Sequence, residues 1–420
     1  MRRYTPLSTP QGSSKRSTFI FLLFCFAFPV FIIYVNSIQY SSAQNNLRLM
    51  KEVSNIVAQD TRFAENVFSK KLKYILIWLP EDSLPFFFFR YGQQGFIKNK
   101  CEFTNCFVTP KRDYLGGDIT KFDAVAINGQ TSAADLPQQR SPYQKFIFFN
   151  IESSTNEPAC NQWVDGFFNW TVTYKLNSDI VFSYIKIRNS EGDLVGPRID
   201  MEWITDMKEV DDDFKKKLQT KKKAGAWFAS HCITRSKREK YVKLLQEALV
   251  PYGLTVDIYG GCGTFRCPRT QANCKAKVQT DYYFYLSFEN AFAEDYVTEK
   301  LLTALNHNAV PIVYGGSNYS RFLPPGSYID ARKHEPAELA ALMAHLISTP
   351  SEYYEYFRWR NHYSYSKSES IDGYCNVCAA LNDKEKVLTQ SVYEHFRSWW
   401  NPDWEKRCRD HNRIFEISYW

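Results

Sequence analysis

In the second half of the chain, short continuous apolar runs alternate with stretches of helical spacing, and few folds accept that pattern. AWFAS (226–230), TVDIYG (255–260, ended by Gly260-Gly261), FYLSF (284–288) and AVPIVYGG (309–316) read as strands. Between them, KREKYVKLLQEAL (237–249) places Tyr241, Leu244, Leu245 and Ala248 on one helical face, and a second helix is expected from Tyr296 to Asn306. Runs that are apolar at every position, rather than at every second one, belong to strands covered on both faces. Strand and helix in alternation then require a parallel sheet with helices on either side. The first half carries the same signal in YILIW (74–78), DAVAIN (123–128) and KFIFFN (145–150), separated by Gln-, Pro- and Gly-rich stretches. The chain's 420 residues suit two such α/β domains facing a cleft, at about 150 residues each. No repeat of fixed period is present. The charged interval 192–223, with Asp211-Asp212-Asp213 and two triple-lysine runs, reads as an interdomain linker, its aspartates as solvated charge rather than metal ligands.

Composition excludes several classes. Gly and Pro number 18 each and aromatics make up 16%, which rules out collagen-like and disordered chains. The net charge of +7 is uneven: residues 1–50 hold five basic and no acidic side chains, leaving 47 basic against 45 acidic. A body so near neutrality gives no electrostatic case for binding nucleic acid. Residues 18–35 form an 18-residue uncharged apolar stretch preceded by Arg2, Arg3, Lys15 and Arg16. It reads as a membrane anchor with the N-terminus cytosolic and the remainder lumenal, the other reading being a cleaved signal peptide. Residues 36–70 are polar and read as a stem. Of the 11 cysteines, Cys25 lies in the anchor and ten follow it, an even number that suits an oxidising compartment. Cys375 and Cys378 form a C-x-x-C pair, for which structural disulfides are the default over redox or zinc chemistry. The sequons Asn169-Trp-Thr171 and Asn318-Tyr-Ser320 become glycosylation sites if that topology holds.

The segment FENAFAEDYVTEK (288–300) is the richest in chemistry. With Asp295 as N-cap, Tyr296, Glu299 and Lys300 would share one face of the first helical turns. Loops at the carboxyl ends of parallel strands are where open α/β sheets bind ligands. A helix N-terminus with an added lysine suits a diphosphate, Glu299 suits a ribose, and Asn290 both donates and accepts.

The run YYFYLSFENAFAEDYVTEKLLTALNHNAVPIVYGG (282–316) closely resembles the donor-binding signature of the α1,3-fucosyltransferases, and the similarity extends over about Phe146 to Leu381. The resemblance implies a GT-B fold: two Rossmann-like domains facing a cleft, behind one N-terminal transmembrane helix and a stem. It implies boundaries at 1–17 (cytosolic tail), 18–35 (anchor), 36–70 (stem), 71–215 (acceptor-side domain), 216–375 (donor domain) and 376–420 (a segment packing back on the first domain). It also implies transfer of L-fucose, with inversion, from GDP-β-L-fucose to a glycan hydroxyl, commonly on N-acetylglucosamine. The resemblance further implies that no protein-bound metal is required, a divalent cation being at most stimulatory, and that such an enzyme would sit in the Golgi membrane as a single-pass type II protein. In FFNIESS (148–154), Glu152 holds the place of the catalytic carboxylate, although the Pro usual two residues later is Ser154 here. Tyr184, Ser230, Arg238, Glu289, Asn290, Tyr296, Glu299 and Lys300 match donor-binding positions, with Arg235 an alternative to Arg238 at the phosphates. His231 stands where Asn is frequent. In relatives the C-terminal C-x-x-C ties back to the first domain, which implies Cys101 and Cys106 with Cys375 and Cys378, pairing open. Cys232, Cys262, Cys267 and Cys274 would bridge among themselves. Trp163, Trp170, Phe86 to Phe89 and Trp399-Trp400 are either core or sugar-stacking surfaces.

The acceptor is not legible. AINGQTS (126–132) replaces the histidine-containing acceptor loop of vertebrate Lewis-type relatives, favouring an invertebrate-type enzyme acting on the N-glycan core. A Lewis-type antenna enzyme and a catalytically silent glycan-binding protein of the same fold are the alternatives. A disulfide-rich adhesion ectodomain would show many short alternating strands, which this chain lacks.

Overall fold

A computed structural model describes residues 72–78, 91–129, 131–267 and 273–409. The expected tail, anchor and stem, and Phe86 to Phe89, lie outside the described residues. Among the described residues no helix is long and apolar enough to cross a membrane.

Two parallel sheets carry the fold. The first contains β1 (Lys73–Ile77), β2 (Cys106–Thr109), β3 (Ala124–Ile127), β4 (Lys145–Asn150), β5 (Trp170–Thr173) and β6 (Ile180–Val181), in the order β2-β1-β3-β4-β5-β6. Every residue of β3, β4 and β5 is buried. Strand side chains alternate between faces, so Ile147 and Phe149 of β4 enter one core while Phe146 and Phe148 enter the other. The C-terminal part of the chain covers both faces. Tyr374, Val377, Cys378 and Leu381, from the helix Ser370–Asn382, pack on the first, and Phe396 and Trp400 on the second.

β7 (Ile185–Asn189) and β8 (Leu194–Gly196) follow. The second parallel sheet contains β9 (Lys223–Phe228), β10 (Val256–Tyr259), β11 (Tyr282–Phe288), β12 (Val310–Tyr314) and β13 (Ile329–Asp330), ordered β10-β9-β11-β12-β13. Finally β14 (Tyr363–Lys367) pairs antiparallel with β7, Tyr363 opposite Asn189 and Lys367 opposite Ile185. The chain therefore leaves the first domain and returns to it through one small sheet, β14-β7-β8.

Several sequence expectations change. The interval 192–223 is packed rather than a free linker: it holds β8, and Val210 and Leu218 enter the second domain's core. Asp211 caps the helix Asp212–Leu218 by accepting from Phe214 N (2.7 Å), and its two neighbouring aspartates face solvent. The helix Arg238–Leu249 buries Arg238, Val242, Leu245 and Leu249, while Leu244 is exposed. Trp163, Trp170 and Trp400 are core residues. Asn169 is buried, its Oδ1 accepting from Phe146 N (2.8 Å) and its Nδ2 donating to Ser391 O (2.9 Å). Asn318 is exposed, and its Oδ1 accepts from the Ser320 hydroxyl at 2.8 Å.

The cysteine pairs resolve as Cys101–Cys375 and Cys106–Cys378, together with Cys232–Cys262. A bridge not anticipated from sequence, Cys160–Cys408, spans 248 residues. Cys267 lies beside Cys274, and burial and hydrogen bonding to Cys274 push its thiol up to about 11.

Candidate active site

The expected site residues gather where the carboxyl ends of β4, β9, β11 and β12 meet. Glu152 lies two residues beyond β4, on a turn closed by its own neighbours. Glu152 N donates to Asn150 Oδ1 (2.8 Å), and Ser153 N and Asn156 Nδ2 donate to Glu152 Oε1 (2.9 and 3.0 Å). A fourth contact crosses between the domains: Tyr296 Oη donates to the same Oε1 at 3.0 Å. One carboxylate oxygen is thus held by three donors, and Oε2 receives none of them. Burial, the nearby Tyr184 hydroxyl and the carboxylates Glu289 and Glu152 keep the Tyr296 phenol far above its ordinary pKa, so it serves as a donor. Tyr184 anchors the loop from the other side, its hydroxyl donating to Ile151 O, and its ring meets that of Tyr296 edge-on at 6.0 Å.

On the second domain, Glu289 leaves the end of β11 as a buried carboxylate. Oε1 accepts from Thr298 N (2.8 Å), and Oε2 from Lys300 Nζ (3.0 Å). Lys300 also donates to Thr298 Oγ1 (2.8 Å) and lies 3.7 Å from exposed Glu299. Burial opposes the Lys300 ammonium, but Glu289 and Glu299 outweigh it and the pKa rises, so the lysine stays charged in a partly dry setting.

The helix here is shorter than expected. It spans Glu299–Asn306 with Thr298 at its N-cap, so Tyr296 precedes it and does not share a face with Glu299 and Lys300. The cause is Asp295, which is no cap: its φ of 57° turns the chain through the left-handed region. That reversal sends Tyr296 towards Glu152 and lets Thr298 close on Glu289.

The loop after β9 is stapled to the end of β11. Ser236 Oγ donates to Glu289 O (2.7 Å), Ser236 N donates to Asn290 O (3.1 Å), and Arg238 donates to Phe288 O. Arg238 is buried, desolvation lowers its pKa, and both its terminal nitrogens go to backbone carbonyls, the second to His231 O at 3.4 Å. Its Nε and Asn290 Oδ1 are buried without hydrogen-bond partners. Arg235 is only half-buried. Ser230 is exposed on the same loop, close against Gly260, where the φ of 100° and a Cβ that would come within 2.6 Å of Ala229 O exclude any side chain. Among the described residues no group of three or more His, Cys, Asp or Glu could hold a metal ion.

Sequence reasoning missed Thr298, Ser236 and Asn156, and read Asp295 as a helix cap rather than as the turn before Tyr296. Thr298 and Asp295 lie inside the motif and were legible as polar residues, but their partners are set by chain reversals that no periodicity reports.

Two family profiles match the chain: "Fucosyltransferase, N-terminal" over residues 70–185, and "Glycosyltransferase family 10 (fucosyltransferase) C-term" over residues 218–399. "Alpha-(1,3)-fucosyltransferase C" of Drosophila melanogaster is 35% identical over 320 residues, which are 75% of this chain and 72% of that protein. "Glycoprotein 3-alpha-L-fucosyltransferase A" of the same organism is 30% identical over 339 residues, 79% of this chain and 61% of that one. A solved α1,3-fucosyltransferase superposes with a TM-score of 0.47 at 15% identity, covering 78% of this chain and 93% of the other. Both halves of the catalytic body are matched, and the chain is an enzyme of glycosyltransferase family 10, the fucosyltransferases.

Proposed function

We propose that the protein is an inverting α1,3-fucosyltransferase of GT-B architecture that moves L-fucose from GDP-β-L-fucose to O3 of an N-acetylglucosamine in glycoprotein glycans. The observation that carries the reading is the Tyr296–Glu152 hydrogen bond, which joins two motifs 144 residues apart across the cleft. It holds Oε1 and leaves Oε2 to take the acceptor proton, as inverting transfer requires of its base. Departing GDP gains negative charge as the fucosyl carbon becomes oxocarbenium-like. Lys300 supplies fixed positive charge at that point, worth a few kcal/mol when preorganised (~3 kcal/mol per group). Arg238 is matched to the phosphate position and keeps N–H groups beyond the two it gives to backbone carbonyls, with Arg235 the alternative at the phosphates. The unpartnered Asn290 Oδ1 and Arg238 Nε are polar atoms that a bound nucleotide would satisfy.

The finer reading is transfer to the N-glycan core by a type II Golgi enzyme, resting on the AINGQTS loop and the apolar stretch at 18–35. A Lewis-type antenna enzyme is the second reading, and a silent glycan-binding protein the third. A pure binder has no use for Glu152, Arg238, Asn290, Tyr296, Glu299 and Lys300 together, and all six are present. The full-length protein incubated with GDP-fucose and a panel of N-glycans, read by mass spectrometry, tests this. A gain of one fucose supports transfer, and fragmentation separates core from antenna attachment. GDP binding without transfer to any acceptor would favour the silent binder.

A further inference from the structure

We infer that Asp295 is a positioning residue for the reaction: its buried carboxylate fixes the Tyr296 hydroxyl on Glu152 by tying the second domain's motif loop to the first domain. The inference rests on Glu152 acting as the base. Asp295 is 2% exposed. Its Oδ2 accepts from Leu176 N at 3.0 Å, on the first domain's loop after β5, and its Oδ1 accepts from Arg321 Nη1 at 2.7 Å, on the second domain beyond β12. One side chain therefore bridges both domains immediately before Tyr296.

The surrounding seam is dense. Thr155 Oγ1 donates to Phe292 O (2.6 Å), and buried Lys175 pairs with Glu294 (3.2 Å) while donating to Trp399 O (2.9 Å). Ala293 and Tyr296 belong to the first domain's core beside Tyr174, whose ring lies 5.0 Å from that of Tyr296. On the other side, Gly316 admits the loop after β12, since a Cβ there would come within 2.5 Å of Ala293 N. Residues 292–296 thus form a plug from the second domain seated in the first. Glu294 also takes a donor from each domain, Lys175 Nζ at 3.2 Å and Arg321 Nη1 at 3.5 Å, but it is half-exposed, whereas Asp295 makes its two bonds buried and directly before Tyr296. Its left-handed backbone makes the turn, and its carboxylate fixes where the turn rests.

Two substitutions separate backbone from carboxylate, because Asn and Gly both accept a left-handed φ while Ala resists it. Asp295→Asn keeps an acceptor for Leu176 N and should keep kcat within about threefold of wild type. Asp295→Gly keeps the turn but loses the bridge, and should lower kcat by about 30-fold with KM for GDP-fucose and GDP affinity within about threefold. The deciding readout is a cycle with Tyr296→Phe. Acting through Tyr296, Asp295→Gly adds little to the loss in Tyr296→Phe, whereas independent effects multiply. Multiplied losses, or unchanged kcat in Asp295→Gly, overturn the positioning role. Wild-type turnover in Tyr296→Phe overturns it together with the base reading. If Asp295→Gly fails to fold, Arg321→Gln enters the same cycle with about a fivefold expected loss, and multiplied losses again overturn the inference.

Discussion

Glu152 and Tyr296 show what a single contact decides. Glu152→Gln keeps the shape of the side chain and removes its capacity to take a proton. Turnover should therefore fall by about 100-fold or more while GDP binding, followed by calorimetry, is unchanged. Glu152 was legible as a carboxylate ending an apolar strand, and the motif residues around Lys300 as a polar helix start. Their mutual geometry was not, because it depends on Asp295 adopting φ 57°, a conformation open to Asp but not announced by it. The two sequons diverge for a related reason: sequence gives both the same motif, and burial separates them. Asn318→Gln should remove one glycan's mass from protein secreted or retained in a lumenal compartment. Asn169→Ala should remove none, and should cost about 1–3 kcal/mol through the stranded Phe146 amide and Ser391 carbonyl. A glycan found on Asn169 of folded enzyme would contradict the packing.

At the level of the element, the parallel strands were the most legible part of the chain. β4 spans the run read from sequence, Lys145–Asn150, because both its faces are apolar and only its first residue is charged. That exception has a consequence. Lys145 is buried and donates to Thr389 O (2.7 Å); desolvation, reinforced by nearby Arg140, pulls its ammonium down to about 8 against the opposing pull of Asp179. In the unfolded chain the value is near 10.5, so between those two values the unfolded state holds a proton that the folded state lacks. This group's contribution to stability is complete above about pH 10.5 and is lost as pH falls through 8. Lys145→Met should abolish that slope and gain up to ~3 kcal/mol near pH 7, at 1.36 kcal/mol per pKa unit. Paired urea denaturation at pH 7 and 9.5 would show it, and parallel curves for the two proteins would refute it. The helix Glu299–Asn306 was misjudged by three residues at its start, and β7, β8 and β14 were not read at all. Those strands are short and only partly apolar, and β14 pairs with β7 across more than 160 residues, a distance over which local pattern carries no information.

At the level of the whole molecule, the two domains are joined by the β14-β7-β8 sheet and by the 292–296 plug, so the cleft is held from two sides. Three disulfides tie the C-terminal part to the first domain, closing sequence separations of 274, 272 and 248 residues. Replacing Cys106 and Cys378 together by serine should destabilise the protein by about 2–5 kcal/mol, chiefly by releasing the unfolded chain from its loop constraint. A melting temperature unchanged in the double variant would show that packing of the helix Ser370–Asn382 suffices alone. The pairing partners could not have been derived locally, and Cys160–Cys408 least of all, since neither residue lies in a motif.

These bridges set an order on biogenesis. Cys101, Cys106 and Cys160 emerge from the ribosome well before their partners Cys375, Cys378 and Cys408, which follow 274, 272 and 248 residues later. Part of each face of the first domain's sheet lacks its cover until those later residues arrive. A chain stopped before Cys375 therefore presents three thiols without their partners and a partly uncovered apolar sheet. The covalent framework therefore closes only in a chain translated through Cys408.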